Sequence, residues 1–229
     1  MQEKKDKYFT RGELWLWGSS LFAITAAFLV FDRVGWLSFI ASLIGATSLI
    51  LCAKGNPLGQ VLIIIFSSIY GYVSFSARYY GEMLTYVGMT LPMAVTALVS
   101  WLRHPYRGNK SEVEVARICK GDVIIMLLLS LSVTAVFYFI LEYFDTANLI
   151  VSTLSVTTSF AAVFLTAKRS PYFALAYATN DLVLILLWGS ATLSDTSYVS
   201  VLVCFITFLF NDIYGFISWR RMARRQAVS

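Results

Sequence analysis

Eight apolar segments of about twenty residues each are the feature that most constrains how this chain can fold. A helix of that length crosses a hydrocarbon core of about 30 Å, whereas membrane strands would alternate in polarity over about ten residues. We label the segments spans A to H, and they cover residues 12–31, 34–53, 57–77, 82–102, 121–143, 146–167, 170–191 and 196–219. The sequence therefore predicts an all-α integral membrane protein with eight transmembrane helices.

The composition agrees with a membrane protein. Hydrophobic residues make up 58% of the chain and charged residues 14%, against roughly a quarter charged in a soluble domain. Residues 1–11 are polar, and no small-residue cleavage pattern follows span A, so we expect span A to remain in the mature protein.

Basic residues are concentrated on one side of the predicted membrane. Of the 18 Lys and Arg residues, 16 lie in the two terminal segments and in the B/C, D/E and F/G loops, which leaves Arg33 and Arg78 on the other side. Because Lys and Arg gather in cytoplasmic loops, both termini and the loop 103–120 are predicted to be cytoplasmic. The net charge of +5 then fits contact with anionic lipid headgroups and is no evidence for nucleic-acid binding.

Two short patterns occur twice in the chain. Residues 53–57 read A-K-G-N-P and residues 167–171 read A-K-R-S-P, an offset of 114 residues. Residues 100–103 read S-W-L-R and residues 218–221 read S-W-R-R, an offset of 118 residues. The agreement of the two offsets predicts a duplication in which spans B-C-D and F-G-H are parallel repeats.

A parallel second copy of three helices needs one extra crossing before it, and span E supplies that crossing. The predicted organisation is 3+1+3 with span A as a peripheral extra helix. Its segments are a cytoplasmic N-terminus with span A (1–33), the first repeat (34–102), a basic loop with the linking helix (103–145), the second repeat (146–219) and a basic cytoplasmic tail (220–229). Transporters with parallel repeats bind substrate at the repeat interface near the midplane.

Polar side chains near the middle of spans G and H are the candidates for substrate binding. Asn180 and Asp181 lie about ten residues into span G, which is about 15 Å along the helix, and Asn211 and Asp212 lie at a comparable depth in span H. Further candidates are Tyr177 and Trp188 of span G, Tyr214 of span H, and Gln60 and Tyr70 of span C. Hydroxyl stripes on spans C and F, and these polar groups themselves, are alternatively interhelical hydrogen-bonding residues.

The histidine, the cysteines and most of the tryptophans are predicted to have structural roles. His104 is expected to be a solvated loop residue, and the cysteines are expected to be small, mostly buried packing residues. The tryptophans other than Trp188 are expected mostly at the membrane interface, and these are Trp15, Trp17, Trp36, Trp101 and Trp219. No catalytic residue, metal site or cofactor is predicted. The absence of deep Lys or Arg favours an aromatic, polar solute that is uncharged or cationic.

Three stretches resemble the PnuC family of vitamin-precursor transporters. They are S-P-Y-F-A-L-A-Y-A-T-N-D-L-V-L-I-L-L-W at 170–188, N-D-I-Y-G-F-I-S-W-R-R-M at 211–222 and Y-V-G-M-T-L-P-M at 86–93. The resemblance covers spans B to H and implies a fold related to the SWEET sugar transporters. It also implies facilitated diffusion of nicotinamide riboside across a bacterial inner membrane, capture by a cytoplasmic kinase, and a homotrimer.

One departure from the family pattern leaves the substrate open. Nicotinamide riboside members typically carry a W-x-x-W pair, whereas the candidate positions here read Leu98-x-x-Trp101 and Ala174-x-x-Tyr177. Relatives that move thiamine, riboflavin or deoxynucleosides therefore remain alternatives. A ligand-binding membrane sensor is the alternative from another functional class, and the predicted duplication favours the transporter.

Overall fold

A computed structural model describes residues 8–76, 83–146 and 148–228. Its helices are α1 (Arg11–Ala27), α2 (Trp36–Ala53), α3 (Leu58–Ser76), α4 (Leu91–Arg103), α5 (Lys120–Tyr143), α6 (Leu149–Ala167), α7 (Tyr172–Thr192) and α8 (Val199–Val228). π-helical turns continue α1 over Phe28–Asp32 and precede α4 over Thr85–Thr90, and a 3-10 turn, Thr196–Tyr198, precedes α8. Eight helical segments are long and apolar enough to cross a membrane, which confirms the predicted spans.

The helices place the sequence loops at two ends of the bundle. We call one end the basic end, because it carries the loops 54–57, 103–120 and 168–171 and the start of α1. The loop 103–120 contains a short antiparallel hairpin of Pro105–Tyr106 and Asn109–Val113. Lys4, Lys5 and Lys7, predicted on the cytoplasmic side, and Arg78, predicted on the other side, lie outside the described residues.

The C-terminal basic segment continues α8 as helix up to Val228. Gln226 near its end accepts a hydrogen bond from the backbone N–H of Val115, at 2.8 Å, and donates to the Glu112 carboxylate, at 2.9 Å. These contacts hold the extended α8 against the loop after α4. The basic end is thus an ordered cap over the bundle.

Trp101 and Trp219 were expected at the membrane interface, but both are buried at the centre of the basic end. Both side chains are 0% exposed, and their ring centroids are 5.3 Å apart. The Trp101 indole N–H donates to the carbonyl of Thr166, at 2.9 Å, and the Trp219 indole N–H donates to the carbonyl of Cys52, at 2.7 Å. The last carbonyls of a helix lack an intrahelical partner, and here buried indoles supply it.

The serines that precede these tryptophans make the same reciprocal contact. The Ser100 hydroxyl at the end of α4 donates to the carbonyl of Ala167 at the end of α6, at 2.7 Å. The Ser218 hydroxyl in α8 donates to the carbonyl of Ala53 at the end of α2, also at 2.7 Å. Each S-W pair therefore binds the end of a helix that belongs to the other half of the chain.

Helix α1 lies at the edge of the bundle but is held by a buried charge. Glu13 is 2% exposed, forms an ion pair with Lys54 at 3.1 Å, and accepts a hydrogen bond from the Tyr214 hydroxyl at 2.7 Å. Thr10 caps the same helix in a capping box with Glu13. Glu13 thereby joins α1 to the end of α2 and to α8. The sequence analysis predicted a peripheral helix and did not predict these polar contacts.

Two cysteines agree with the packing role and one does not. Cys52 and Cys204 are buried, whereas Cys119 is exposed and caps the start of α5. An N-cap faces solvent at a helix start, so a cysteine there does not need burial.

Candidate functional site

A cavity of about 590 Å³ lies within the bundle between α2, α3, α6, α7 and α8. At the end opposite the basic end its lining includes Asn148, Ser190 and Ser194. It extends inward to Gln60 and Asp212. A pocket of several hundred Å³ is the usual size of a small-molecule site.

The aromatic layer at the basic end lies beyond the inner end of this cavity. Phe173 lines the cavity and packs edge-on against Trp219, with ring centroids 4.8 Å apart. Phe173 also packs against Trp101, at 6.3 Å. These three buried rings separate the inner end of the cavity from the loops of the basic end.

Most of the candidate residues from the sequence do line the cavity. Those that line it are Gln60, Tyr177, Asn180, Asp181, Trp188 and Asp212. The serine stripe predicted on span F also faces it, through Ser152, Ser155 and Ser159. One face of α7 and one face of α6 therefore line the cavity.

Asn211 and Tyr214 lie on the other side of α8, against α1. The Asn211 amide donates to the Ser20 hydroxyl, at 2.8 Å, and to the carbonyl of Thr207, at 2.8 Å. The Tyr214 hydroxyl is the donor to Glu13. Neither residue is in the cavity lining. Tyr70 is not in that lining either, and it borders a separate cavity of about 180 Å³ that Trp188 also lines.

Asn180 is fixed by a neighbour that sequence reasoning did not single out. The Thr158 hydroxyl donates to the Asn180 amide oxygen, at 2.8 Å, across the interface of α6 and α7. Asn180 is 5% exposed, so this bond accounts for a buried acceptor. The signal for Thr158 in the sequence was its place beside the serine stripe of span F.

Two aspartates from adjacent helices meet in the lining. Asp181 of α7 is 3% exposed and Asp212 of α8 is 5% exposed. Both side chains line the same cavity, on helices that pack directly against each other. One oxygen of Asp181, Oδ2, is buried without a hydrogen-bond partner in the part of the chain that the structure describes.

Gln60 lies beside this pair at the inner end. It is 2% exposed, and its amide donates to the Cys52 sulfur at 3.4 Å. Gly59 allows the close approach of α3 to α2, since a Cβ there would be 2.5 Å from that sulfur. The inner end of the cavity therefore depends on tight packing between these two helices.

Aromatic rings form much of the remaining wall. Trp188 packs against Tyr198, with ring centroids 5.4 Å apart. Rings that the sequence analysis did not identify also line the cavity, and these are Phe66, Tyr86, Phe144, Phe205 and Phe208. They come from four different segments, so no single helical pattern could have grouped them.

The charge of the lining is of one sign. Asp145, Asp181 and Asp212 are in the lining, and none of its described residues is Lys, Arg or His. A cavity with these walls favours a polar or cationic solute with an aromatic ring over an anion.

Comparison with known proteins assigns the chain to a family. The sequence profile of the family described as nicotinamide mononucleotide transporter matches residues 35–221. The chain belongs to this family of membrane transporters. Its members are transporters and not enzymes, in agreement with the absence of any predicted catalytic residue.

Two curated relatives are both named as nicotinamide riboside transporters. The chain is 24% identical over 217 residues to a nicotinamide riboside transporter PnuC of Neisseria mucosa, which covers 93% of this chain and 82% of the relative. It is 22% identical over 192 residues to a protein of the same name from Haemophilus influenzae, which covers 83% of this chain and 81% of the relative.

A solved structure shares the fold of the chain. The crystal structure of the vitamin B3 transporter PnuC aligns with a TM-score of 0.81 at 22% identity. The alignment covers 95% of this chain and 94% of that structure.

The positions expected for the paired tryptophans differ in this family member. Tyr177 lines the cavity, and Ala174 is 0% exposed. Trp101 belongs to the buried aromatic layer at the basic end. The cavity wall at these positions thus offers a phenol where the resemblance led us to expect an indole.

Proposed function

We propose that this chain carries nicotinamide riboside across the membrane down its concentration gradient. The observation that carries the proposal is the cavity of about 590 Å³ in a member of a vitamin-transporter family, with amide, carboxyl and aromatic groups in its wall. Nicotinamide riboside has an aromatic ring, a carboxamide and ribose hydroxyls, which such groups can recognise.

Asn180 and Gln60 are the proposed hydrogen-bonding residues. The oxygen of the Asn180 amide is occupied by Thr158, so the amide nitrogen is left as a donor for a sugar hydroxyl or the carboxamide. Tyr177 and Trp188 are the proposed stacking residues, since both are aromatic residues of the lining on the same helix. Asn211 and Tyr214 are left out of the site because neither lines the cavity and each donates a hydrogen bond to a side chain of α1.

The transport mechanism is proposed to be alternating access between two parallel halves in a 3+1+3 arrangement. The reciprocal S-W contacts support it, because the serine and tryptophan of each half bind the equivalent helix end of the other. The two A-K-x-x-P loops also match in detail. Gly55 and Arg169, which are 114 residues apart, both have positive φ.

Matching ion pairs extend this correspondence to the helix that precedes each repeat. Lys54 pairs with Glu13, and Lys168 pairs with Asp122 at 2.7 Å. Both acids are the third residue of their helix and close a capping box. We propose that α1 and α5 are counterparts in the two halves.

Transport is proposed to need no ion gradient, with phosphorylation inside the cell trapping the product. No Lys, Arg or His lines the described cavity, so no proton relay through histidine is available. Both termini and the loop 103–120 are proposed to be cytoplasmic. The cavity would then face the outside in this conformation.

A homotrimer is also proposed. The outer face of α5 presents an apolar surface, with Leu127, Leu128 and Leu131 each more than half exposed. Either lipid or a neighbouring subunit can cover such a face. Light scattering of the purified protein, corrected for detergent, measures the subunit number directly.

Counterflow in proteoliposomes tests the transport function. Vesicles loaded with unlabelled nicotinamide riboside should accumulate the labelled compound, and loading with thiamine, riboflavin or a deoxynucleoside should drive little or none. Uptake should survive a protonophore, because the proposed transport is not coupled to a proton gradient. Counterflow driven only by one of the alternatives would reassign the substrate, and binding without any flux would indicate a sensor.

A further inference from the structure

We propose that Asp181 and Asp212 form a charge-selective subsite that holds a single positive charge on the transported solute. The proposal rests on the function proposed above and adds the chemical property by which the cavity selects its substrate. It concerns a monovalent organic cation such as the pyridinium ring of nicotinamide riboside.

The first observation is the placement of the two carboxyl groups. They come from different helices, α7 and α8, and both line the cavity at its inner half while being almost fully buried. An ionised group in apolar surroundings is costly unless it is paired or hydrogen-bonded. In the described part of the chain, the salt bridges of Lys54, Lys168 and Arg225 all lie elsewhere.

The second observation is the unpartnered oxygen. Asp181 Oδ2 is buried without a hydrogen-bond partner among the described residues, although the adjacent Asn180 has its own partner in Thr158. Buried polar atoms in folded proteins nearly always have partners. An unpaired carboxylate oxygen on a cavity wall is therefore a place for a ligand group of complementary charge.

The third observation fixes the number of charges. Two almost fully buried carboxyl groups on one cavity wall do not both ionise, because like charges repel strongly at low dielectric, and so the pair keeps one proton. A pair that shares one proton carries a single negative charge. One positive charge neutralises it, whereas an anion would be repelled and a neutral ring would leave the charge uncompensated.

The groups around the pair do not supply that charge. The ionisable side chains close to it are Cys52, Tyr177 and Cys204, all of which are uncharged in their protonated forms. Among the described residues, no cationic side chain neutralises the negative charge of the subsite. The rings of the lining can then hold the aromatic face of the same solute.

A pair of ligands that differ in charge tests the inference. Nicotinamide riboside is a cation, and dihydronicotinamide riboside has nearly the same shape but an uncharged ring. Binding of both to the purified full-length protein would be measured by calorimetry in potassium and in sodium buffer. We expect wild type to bind the cation at least about tenfold more tightly than the neutral compound.

The matched variants are Asp181→Asn and Asp212→Asn, which keep shape and hydrogen bonding. Each single variant leaves one carboxylate and should keep most of the preference for the cation. The double variant Asp181→Asn/Asp212→Asn should reduce that preference to less than about threefold while binding of the neutral compound is retained, which also shows that the cavity is folded. Asp195→Asn is the control. Asp195 lies outside the lining, near its outer end, and the backbone N–H of Ser197 holds the pKa of its carboxyl below its usual range.

Three results would overturn the subsite. Equal affinity of wild type for both compounds would do so, as would loss of both ligands in the asparagine variants. Binding of the neutral compound that requires sodium would assign the pair to an inorganic cation. If wild type binds neither compound, the proposed substrate itself is wrong, which is a different outcome from a missing charge preference.

Discussion

At the scale of single residues, the direction in which a buried polar side chain points decides its role. Asn180 and Asn211 have the same chemistry, the same neighbour in sequence, an aspartate, and similar burial. Asn180 lines the cavity, whereas the amide nitrogen of Asn211 donates to the Ser20 hydroxyl and the carbonyl of Thr207. Identical dipeptides therefore have different expected effects when mutated.

Asn180→Ala should weaken substrate binding with little effect on folding. Loss of one hydrogen bond costs about 0.5–1.5 kcal/mol, which is up to about a tenfold loss of affinity. Asn211→Ala is the matched control, and it should lower the melting temperature and leave the affinity of the folded protein unchanged. Calorimetric titration and thermal unfolding measure the two quantities. A weaker affinity in Asn211→Ala alone would move the site to the α1 side of α8.

Trp101→Phe and Trp219→Phe should each destabilise the protein. Each substitution leaves the carbonyl of a helix end buried without its donor, at a cost of about 1–3 kcal/mol. Trp15→Phe is the control, since Trp15 is 79% exposed and should tolerate the change. Thermal unfolding of the three purified variants decides the point. Equal stability in all three would mean that water replaces the indole donors.

At the scale of elements, α1 and α5 begin with the same combination of capping box and ion pair, but the two ion pairs differ in burial. Each start has a capping box whose acid also pairs with a lysine of an A-K-x-x-P loop. Glu13 is almost fully buried, whereas Lys168 and Asp122 remain partly exposed. Exposed pairs contribute little, because solvent screens them and ordering the side chains costs entropy.

Glu13→Gln should therefore cost more stability than Asp122→Asn. Removing the buried charge leaves Lys54 without its partner and weakens the bond from Tyr214, at an expected cost of about 1–3 kcal/mol. Asp122→Asn should cost less than about 1 kcal/mol. The midpoints of thermal unfolding compare the two variants. The reverse order would mean that α1 is attached mainly by apolar packing.

The π-helical turn before α4 has a local cause. Pro92 has no backbone N–H and so cannot bond to the carbonyl four residues earlier, and the wider turn Thr85–Thr90 precedes it. The Thr90 hydroxyl donates to the carbonyl of Thr85, at 3.2 Å. Gly71 of α3 packs against this turn, since a Cβ there would be 2.4 Å from Val87. This irregular segment brings Tyr86 to the cavity.

At the scale of the whole molecule, the distribution of basic residues gives a testable orientation. In a background with the three cysteines replaced, Lys110→Cys in the hairpin and Ser194→Cys at the other end can be labelled with an impermeant maleimide. Intact cells should label Ser194→Cys, and Lys110→Cys should react only after permeabilisation. Labelling of Lys110→Cys in intact cells would reverse the proposed topology.

The sequence by itself determined the number of spans and much of the candidate site. Spans are set by the length of uninterrupted apolar residues, which is a local property, and so seven of the eight described segments end within a few residues of the predicted bounds. The last helix continues to Val228, nine residues beyond its predicted end at 219. Helical spacing likewise grouped Tyr177, Asn180, Leu184 and Trp188 on the face of α7 that lines the cavity. These are properties of one helix at a time.

Only the tertiary structure decided which faces of different helices meet. The polar stripe of α8 contains Asn211 and Tyr214, and periodicity is the same whether that stripe faces the cavity or α1. Trp101 and Trp219 lie at helix ends, where an interface position and a buried position look alike in sequence. Their partners are backbone carbonyls more than 60 residues away, at Thr166 and Cys52, and long-range backbone partners leave no pattern in a sequence.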